Sequence, residues 1–303
     1  MASTDKPTTA ALELLVGHPG DKWSRLKADI QDRSITKFAD IEPAWLDLLW
    51  TLDTYRKAGV APYGMGNANV EAPARLAAIY RGKGNWFATT VALLLENRTA
   101  HKLAPRVKVQ GFSQNHQIDV AWPDRGTELL EDPLVCLETK ITGAPPSGST
   151  KARGAMADWT NRRKELKFAA TDLKLYRRQQ ETEIRSWDFW RQHEPPKCYF
   201  VWGARLGSKD RVHQMVREVQ YLVKTYLDGA GIIAWREKAD GSGYETVRIP
   251  QEDRVSTVDE ILHYIESEIL SIAKPGGPIP PPIRPSKRLI DTSDLLDDRD
   301  PDA

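Results

Sequence analysis

Cysteine is scarce. The 303-residue chain carries two, Cys136 and Cys198, too few for a disulfide framework or a four-ligand zinc site. The six histidines, at 18, 101, 116, 193, 213 and 263, form no His-Glu-x-x-His pair and have no cysteine partner at zinc spacing. That argues against a zinc-dependent nuclease of the HNH type. No Gly-x-Ser-x-Gly elbow is present, which excludes the usual serine-hydrolase pattern. Gly82-Lys83-Gly84 lacks the P-loop spacing and reads as a turn, with phosphate binding by Lys83 the sharper alternative. No apolar run approaches the ~18–20 residues of a membrane helix. Residues 1–7 show no charged segment leading into an apolar one. Reduced thiols and a cytoplasmic location, with no membrane partner, are the expectation.

Net charge is also small, +1, but it is unevenly distributed. The last 13 residues hold six Asp and one Arg, and residues 151–191 hold eleven Lys/Arg against six Asp/Glu. A local basic excess suits a polyanionic partner. What the chain has in quantity is a core: hydrophobic residues are 40% of it, and tryptophan reaches ten. These values exclude wholesale disorder.

Three regions are expected. Residues 1–80 read as a helical N-terminal region, with helices around 23–30, 43–55 and 73–80. The strongest is 43–55, which Glu42 and Pro43 would open. Residues 81–85 read as a turn with Asn85 as N-cap of a helix over 86–99. The apolar period then shifts from about 3.6 to 2, predicting strands at 106–110, 116–122 and 134–141. A polar helix at 155–192 follows. Strands at 197–202, 231–235 and 244–249 and helices at 211–227 and 257–272 complete a core spanning 81–273. Residues 274–303 read as a Pro-rich linker and an acidic disordered tail.

The informative segment is the hairpin around 116–141. Alternation puts Asp119 on one face of its strand and Glu138 and Lys140 on one face of the other. Antiparallel pairing near Trp122 and Val135 sets Asp119 opposite Glu138. Like charges directly opposite destabilise a sheet, and a hard divalent cation such as Mg²⁺, bound through carboxylates and waters, relieves that cost. Lys140 is placed to orient or deprotonate a water, or to stabilise charge developing on phosphorus. Two other acidic-x-Lys triplets, Glu165-Leu-Lys167 and Asp172-Leu-Lys174, lie in helical context, where i and i+2 do not share a face. The bland alternative is an exposed hairpin with a solvated Glu138–Lys140 pair.

Ile118-Asp119 followed by Leu137-Glu138-Thr139-Lys140 resembles the PD-(D/E)XK nuclease superfamily over residues 86–202, although the motif's proline is replaced by Ile118. The resemblance implies an α/β fold with a central mixed β-sheet flanked by helices (a restriction-endonuclease-like core), here with a helical N-terminal part. It implies Asp119, Glu138 and the Thr139 carbonyl as ligands of one or two Mg²⁺ ions, Lys140 as the catalytic lysine, and Glu96 as a possible additional acid. The implied activity is Mg²⁺-dependent endonucleolytic cleavage of DNA, of type II restriction or other phage-defence kind. A possible homodimer would face the two strands. A structure-selective repair or recombination nuclease, or a non-catalytic nucleic-acid-binding module on the same fold, are the alternatives. DNA contacts are expected from His116 and Gln117 on the strand. Arg162, Arg163, Lys164, Lys167, Lys174, Arg177 and Arg178 could contribute from the helix, against a polar turn and a solvated helix face. Trp187 and Trp190 could stack on bases, with core packing as the commoner role.

Overall fold

A computed structural model describes residues 7–148, 150–183 and 195–273. Trp187, Trp190, the Pro-rich linker and the acidic tail lie outside the described residues. Five helices come first: α1 (Thr9–Val16), α2 (Pro19–Asp32), α3 (Phe38–Ala58), α4 (Ala72–Arg81) and α5 (Lys83–Thr99). Strands β1 (Ala104–Gln110), β2 (Asn115–Trp122), β3 (Leu129–Leu130) and β4 (Val135–Thr142) follow, then α6 (Trp159–Glu183) and β5 (Lys197–Arg205). The chain continues through α7 (Val212–Thr225), β6 (Gly229–Glu237), β7 (Tyr244–Val247), β8 (Val255–Ser256) and α8 (Val258–Ile272).

The strands form one mixed sheet in the order β3-β1-β2-β4-β5-β6-β7, with β8 on β6. β1, β2 and β4 run as an antiparallel meander, whereas β4, β5 and β6 are parallel. The parallel centre is covered on both faces, so its strands open on near-continuous apolar runs, Val135–Leu137 in β4, Cys198–Trp202 in β5 and Gly229–Trp235 in β6, and turn polar toward their carboxyl ends. In β5, every residue after Lys197 is buried. One face packs on α2, α3, α5 and α8 through Val120, Trp122, Leu137, Val201 and Trp235. The other packs on α6 and α7 through Ile118, Cys136, Cys198, Phe200 and Trp202. Cys136 and Cys198 are register partners on neighbouring strands, both buried and neither in a disulfide, as expected of small core hydrophobes. Burial pushes the Cys198 thiol up to about 12.

The N-terminal helices share their core with the sheet. Trp23 of α2 stacks on Trp86 of α5 at 5.6 Å, and Trp45 of α3 on Phe87 at 5.5 Å. Two helix starts differ from the sequence expectation. α3 begins at Phe38, five residues before Pro43, which therefore sits inside the helix. The cause is distant in sequence: the Asp259 carboxylate on α8 accepts the N–H groups of Phe38 (2.6 Å) and Ala39 (2.9 Å), satisfying orphan donors of the first turn. α5 begins at Lys83, so Asn85 is within its first turn and not its N-cap. Only Gly82 separates it from α4. By contrast, α8 starts as its sequence indicates, with a reciprocal capping box between Thr257 and Glu260.

Candidate active site

Asp119 lies where both neighbouring ladders break. On one side β2 pairs β1 at Val120↔Pro105 and again at Ile118↔Val107, and the intervening Arg106–Asp119 pair is missing. Arg106 there has φ +48°, a conformation that costs a non-glycine residue energy. The carboxamide of Gln117 donates to the Arg106 carbonyl. On the other side β2 pairs β4 only from Trp122↔Val135 to Val120↔Leu137. Beyond that point the Asp119 carboxylate substitutes for the ladder, accepting the Thr139 N–H at 2.8 Å and the Thr139 hydroxyl at 2.9 Å. A strand residue directs its N–H and C=O to the same side, so the Thr139 carbonyl is directed toward the same gap.

Continuing this register sets Glu138 across from Asp119, as the spacing predicts. Glu138 points to the α6 side, with a side chain 17% exposed, and the Lys140 ammonium lies 3.7 Å from its carboxylate. The Glu138 carboxyl is pushed up to about 8. Burial is the largest cause, and the negative charge of Asp119 the next. Lys140 opposes the rise, while Glu165 on α6 and a hydrogen bond with Asp119 add to it. At neutral pH Glu138 therefore holds a proton unless another positive charge arrives. With its side chain largely covered, Glu138 is not the freely solvated partner that an exposed hairpin would present.

Asp119, Thr139 and Lys140 line one side of a cleft of about 500 Å³ at the carboxyl end of β4. The opposite walls are the end of α3 (Arg56), the α4–α5 junction (Tyr80, Arg81, Lys83), the segment leading into α6 (Arg153, Asp158) and the first turn of α6 (Arg162). Six basic side chains line it against the carboxylates of Asp119 and Asp158, a balance that favours a polyanion. The chain leaves β4 through Gly143, at φ +81°. A Cβ there would lie 2.2 Å from the Arg205 carbonyl, so only glycine fits. Asp210 holds the 154–156 wall by accepting the N–H groups of Ala155 (2.8 Å) and Gly207 (2.7 Å). The Trp202 indole fixes the end of β4 by donating to the Thr142 hydroxyl at 2.8 Å.

Several expected residues are placed elsewhere. Glu96 is near the far end of α5, twelve residues beyond Gly84, about 18 Å along the axis. There it accepts the Leu103 N–H at 3.1 Å and pairs with Lys102 at 3.5 Å. His116 is buried with its Nε2 2.8 Å from Asp172, its ring beside Phe168. Asp172 also accepts the amide and hydroxyl of Ser113 at 3.0 and 2.7 Å. Burial alone would raise the Asp172 carboxyl, but these hydrogen bonds outweigh it and hold it below its ordinary value. This is a core cluster that closes the 111–115 turn onto α6.

The basic residues of α6 do not form one stripe. Arg162 is in the cleft and paired with Glu165 at 2.6 Å. Arg163 pairs with Glu218 of α7 at 2.9 Å, and Lys167 lies over the Tyr226 ring at 4.7 Å. Lys174 is tied to the Tyr226 carbonyl and Asp228, both at 2.9 Å. The side chains of Arg177 and Arg178 lie outside those described. Arg56 and Arg153 were not visible as site residues in the sequence. Each reaches the cleft through tertiary packing, and no local motif marks either one.

Among the described residues no group of three or more His, Cys, Asp and Glu side chains is gathered in reach of one cation. The donors here are two carboxylates beside a threonine main chain. That set suits Mg²⁺, which keeps several waters and takes one or two carboxylates with substrate phosphate oxygens. None of the described helices is long and apolar enough to cross a membrane. Comparison with known proteins finds no matching family model, no matching curated protein and no matching solved structure.

Proposed function

We propose that the chain is a Mg²⁺-dependent DNA endonuclease of the PD-(D/E)XK kind, hydrolysing phosphodiester bonds beside Asp119, Glu138 and Lys140. The observation that carries this reading is geometric: Asp119, held by Thr139 where β2 and β4 part, stands across from Glu138, whose carboxylate lies 3.7 Å from Lys140, and Asp119, Thr139 and Lys140 line a basic cleft. Burial and the charge of Asp119 push the Glu138 carboxyl up, in keeping with that geometry. Two carboxylates so placed are relieved by a divalent cation. The chain order is in keeping with the superfamily: a helix (α5), the meander β1-β2-β4, a second helix (α6) and the parallel strand β5.

In this reading Asp119, Glu138 and the Thr139 carbonyl would hold Mg²⁺. The bound cation would supply Lewis-acid polarisation of the phosphodiester and a more acidic water. The protein's own contributions follow from the geometry. Thr139 fixes the Asp119 carboxylate with two hydrogen bonds, so its orientation is set before any ligand arrives. Glu138 would release its proton to solvent on taking up the cation. Lys140, held 3.7 Å from Glu138, presents its ammonium to the charge that develops on the phosphoryl oxygens as water attacks and the P–O bond breaks. The basic rim draws in the DNA backbone and makes binding salt-dependent.

A restriction-type or other phage-defence role is the narrower proposal, with a two-fold dimer as the arrangement that cuts both strands. A digest of phage DNA in Mg²⁺ and in EDTA tests it. Discrete fragments formed only with Mg²⁺ are expected. Cutting confined to branched or damaged substrates would replace the role with structure-selective repair. Intact DNA of every kind, with metal-independent binding, would overturn the activity.

A further inference from the structure

Lys83 is a buried cation with little to neutralise it. It is 8% exposed, opens α5, and lies at the inner end of the cleft. Its ammonium donates to the Gly143 carbonyl at 3.2 Å and sits 3.9 Å over the Tyr80 ring. The Arg56 guanidinium lies 4.2 Å over that same ring, so two cations converge on one tyrosine. The acid that faces them from α3, Asp53, is already committed to Arg205 at 3.2 Å and to the Tyr244 hydroxyl. Among the described residues no carboxylate forms an ion pair with Lys83. A buried charge without a partner is costly, and this one lines a cleft open to solvent.

The backbone around Lys83 is arranged for an anion as well. α5 is 17 residues long and its N-cap, Gly82, offers no side chain to the free N–H groups of the first turn. Such groups, with the helix dipole, favour negative charge. A Cβ added at Gly84 would meet nothing within 4 Å, so space is open above that turn. Lys83, Gly84 and Asn85 all line the cleft.

We propose that Lys83, Arg56 and the first turn of α5 form a phosphate-binding subsite, distinct from Asp119–Glu138–Lys140, that holds a phosphate of the nucleic-acid strand adjacent to the one hydrolysed. Gly143, whose carbonyl anchors Lys83, is three residues beyond Lys140 and just past the end of β4, about 10 Å along the chain. One extended strand can reach both places. The condition of the lysine agrees with this: burial lowers the Lys83 ammonium to about 8, Asp53 opposes the fall, and Arg56 and Arg205 deepen it. A phosphate oxygen beside the ammonium would oppose that fall. The strand identity of the ligand rests on the nuclease reading, whereas the anion site does not.

The test measures inorganic phosphate and short duplexes by calorimetry in EDTA, where no cleavage occurs. The proteins are the wild type, Lys83→Met, Arg56→Gln and, as a control outside the cleft, Lys108→Ala on the exposed side of β1. Wild type and Lys108→Ala are expected to bind phosphate alike, and Lys83→Met and Arg56→Gln to lose about tenfold or more. Duplexes with 5′-phosphate and 5′-hydroxyl ends distinguish a terminal phosphate from a backbone one. A preference for the former that vanishes in Lys83→Met assigns the site to strand ends, and equal binding assigns it to the backbone. Lys83→Met protein that melts like wild type and binds phosphate and duplex equally well would overturn the subsite. Should Lys83→Met not fold, Arg56→Gln carries the same comparison. Lys83-dependent phosphate binding without DNA cleavage in Mg²⁺ would remove the nuclease reading and leave the subsite. Cleavage with Lys83-independent binding would do the reverse.

Discussion

Asp119 and Thr139 are joined twice, the Asp119 carboxylate accepting both the amide and the hydroxyl hydrogen of Thr139, at 2.8 and 2.9 Å. Both bonds use one carboxylate oxygen, Oδ2, at the point where β2 stops pairing with β4. The break in the sheet thus brings a carboxylate, a second carboxylate on Glu138 and a main-chain carbonyl toward one gap. Thr139→Val removes the hydroxyl bond while keeping volume and β-branching. A cost of about 1 kcal/mol in stability is expected from thermal unfolding, with looser metal binding if Asp119 is a ligand.

Glu138 makes stability depend on pH in a particular direction. A carboxyl raised in the folded state from 4.5 to about 8 keeps its proton while the unfolded chain has already released one. Its stabilising contribution is fully present below about pH 4.5 and is lost as pH rises through about 8. Metal-free Glu138→Gln is therefore expected to melt above wild type at pH 8, by on the order of 1 kcal/mol or more, and to match it near pH 4.5. Mg²⁺ should raise the wild-type Tm more at pH 8 than at pH 5.5. A Tm of Glu138→Gln below that of wild type at pH 8 would contradict this account of the pair.

Gly143 has a testable steric role. With φ +81° and an added Cβ 2.2 Å from the Arg205 carbonyl, Gly143→Ala must displace the chain that leaves β4. A loss of more than about 2 kcal/mol is expected in chemical denaturation. Since that chain carries the acceptor for Lys83, phosphate affinity should fall with it.

Asp259 ties the two ends of the fold together. It caps α3 and pairs with Arg98 at 3.0 Å. Asp259→Ala is expected to cost about 2 kcal/mol and to expose the amides of Phe38 and Ala39 to hydrogen exchange. Unchanged protection at those two amides would show that the cap is not what starts α3.

The strands of the meander, the long helices and the Asp119–Glu138–Lys140 grouping were legible in sequence because each rests on local period: two for strands, 3.6 for helices, and a register counted from Trp122 and Val135. What was not legible depended on contacts across long stretches of chain. The start of α3 is set by Asp259, some 220 residues away. Lys83 reads locally as part of a turn, yet it is a buried helix-opening cation because α4 runs almost directly into α5. His116 and Lys174 looked like surface polar residues and are in fact satisfied by Asp172 and Asp228. Glu96 fits the helix expected to carry an extra acid, but stands at the end away from the cleft. Sequence period places a residue on a face without saying which end of the element meets the site.

The most direct test of the central claim is the single-turnover cleavage rate of duplex DNA in Mg²⁺ for wild type, Asp119→Asn and Lys140→Ala, with DNA affinity measured separately in Ca²⁺. The account predicts Mg²⁺-dependent cutting by wild type and a fall of about a hundredfold or more in both variants, each still binding DNA within a few-fold of wild type. Variants that cut as fast as wild type would contradict it, because the phosphodiester would then be hydrolysed somewhere other than beside Asp119, Glu138 and Lys140.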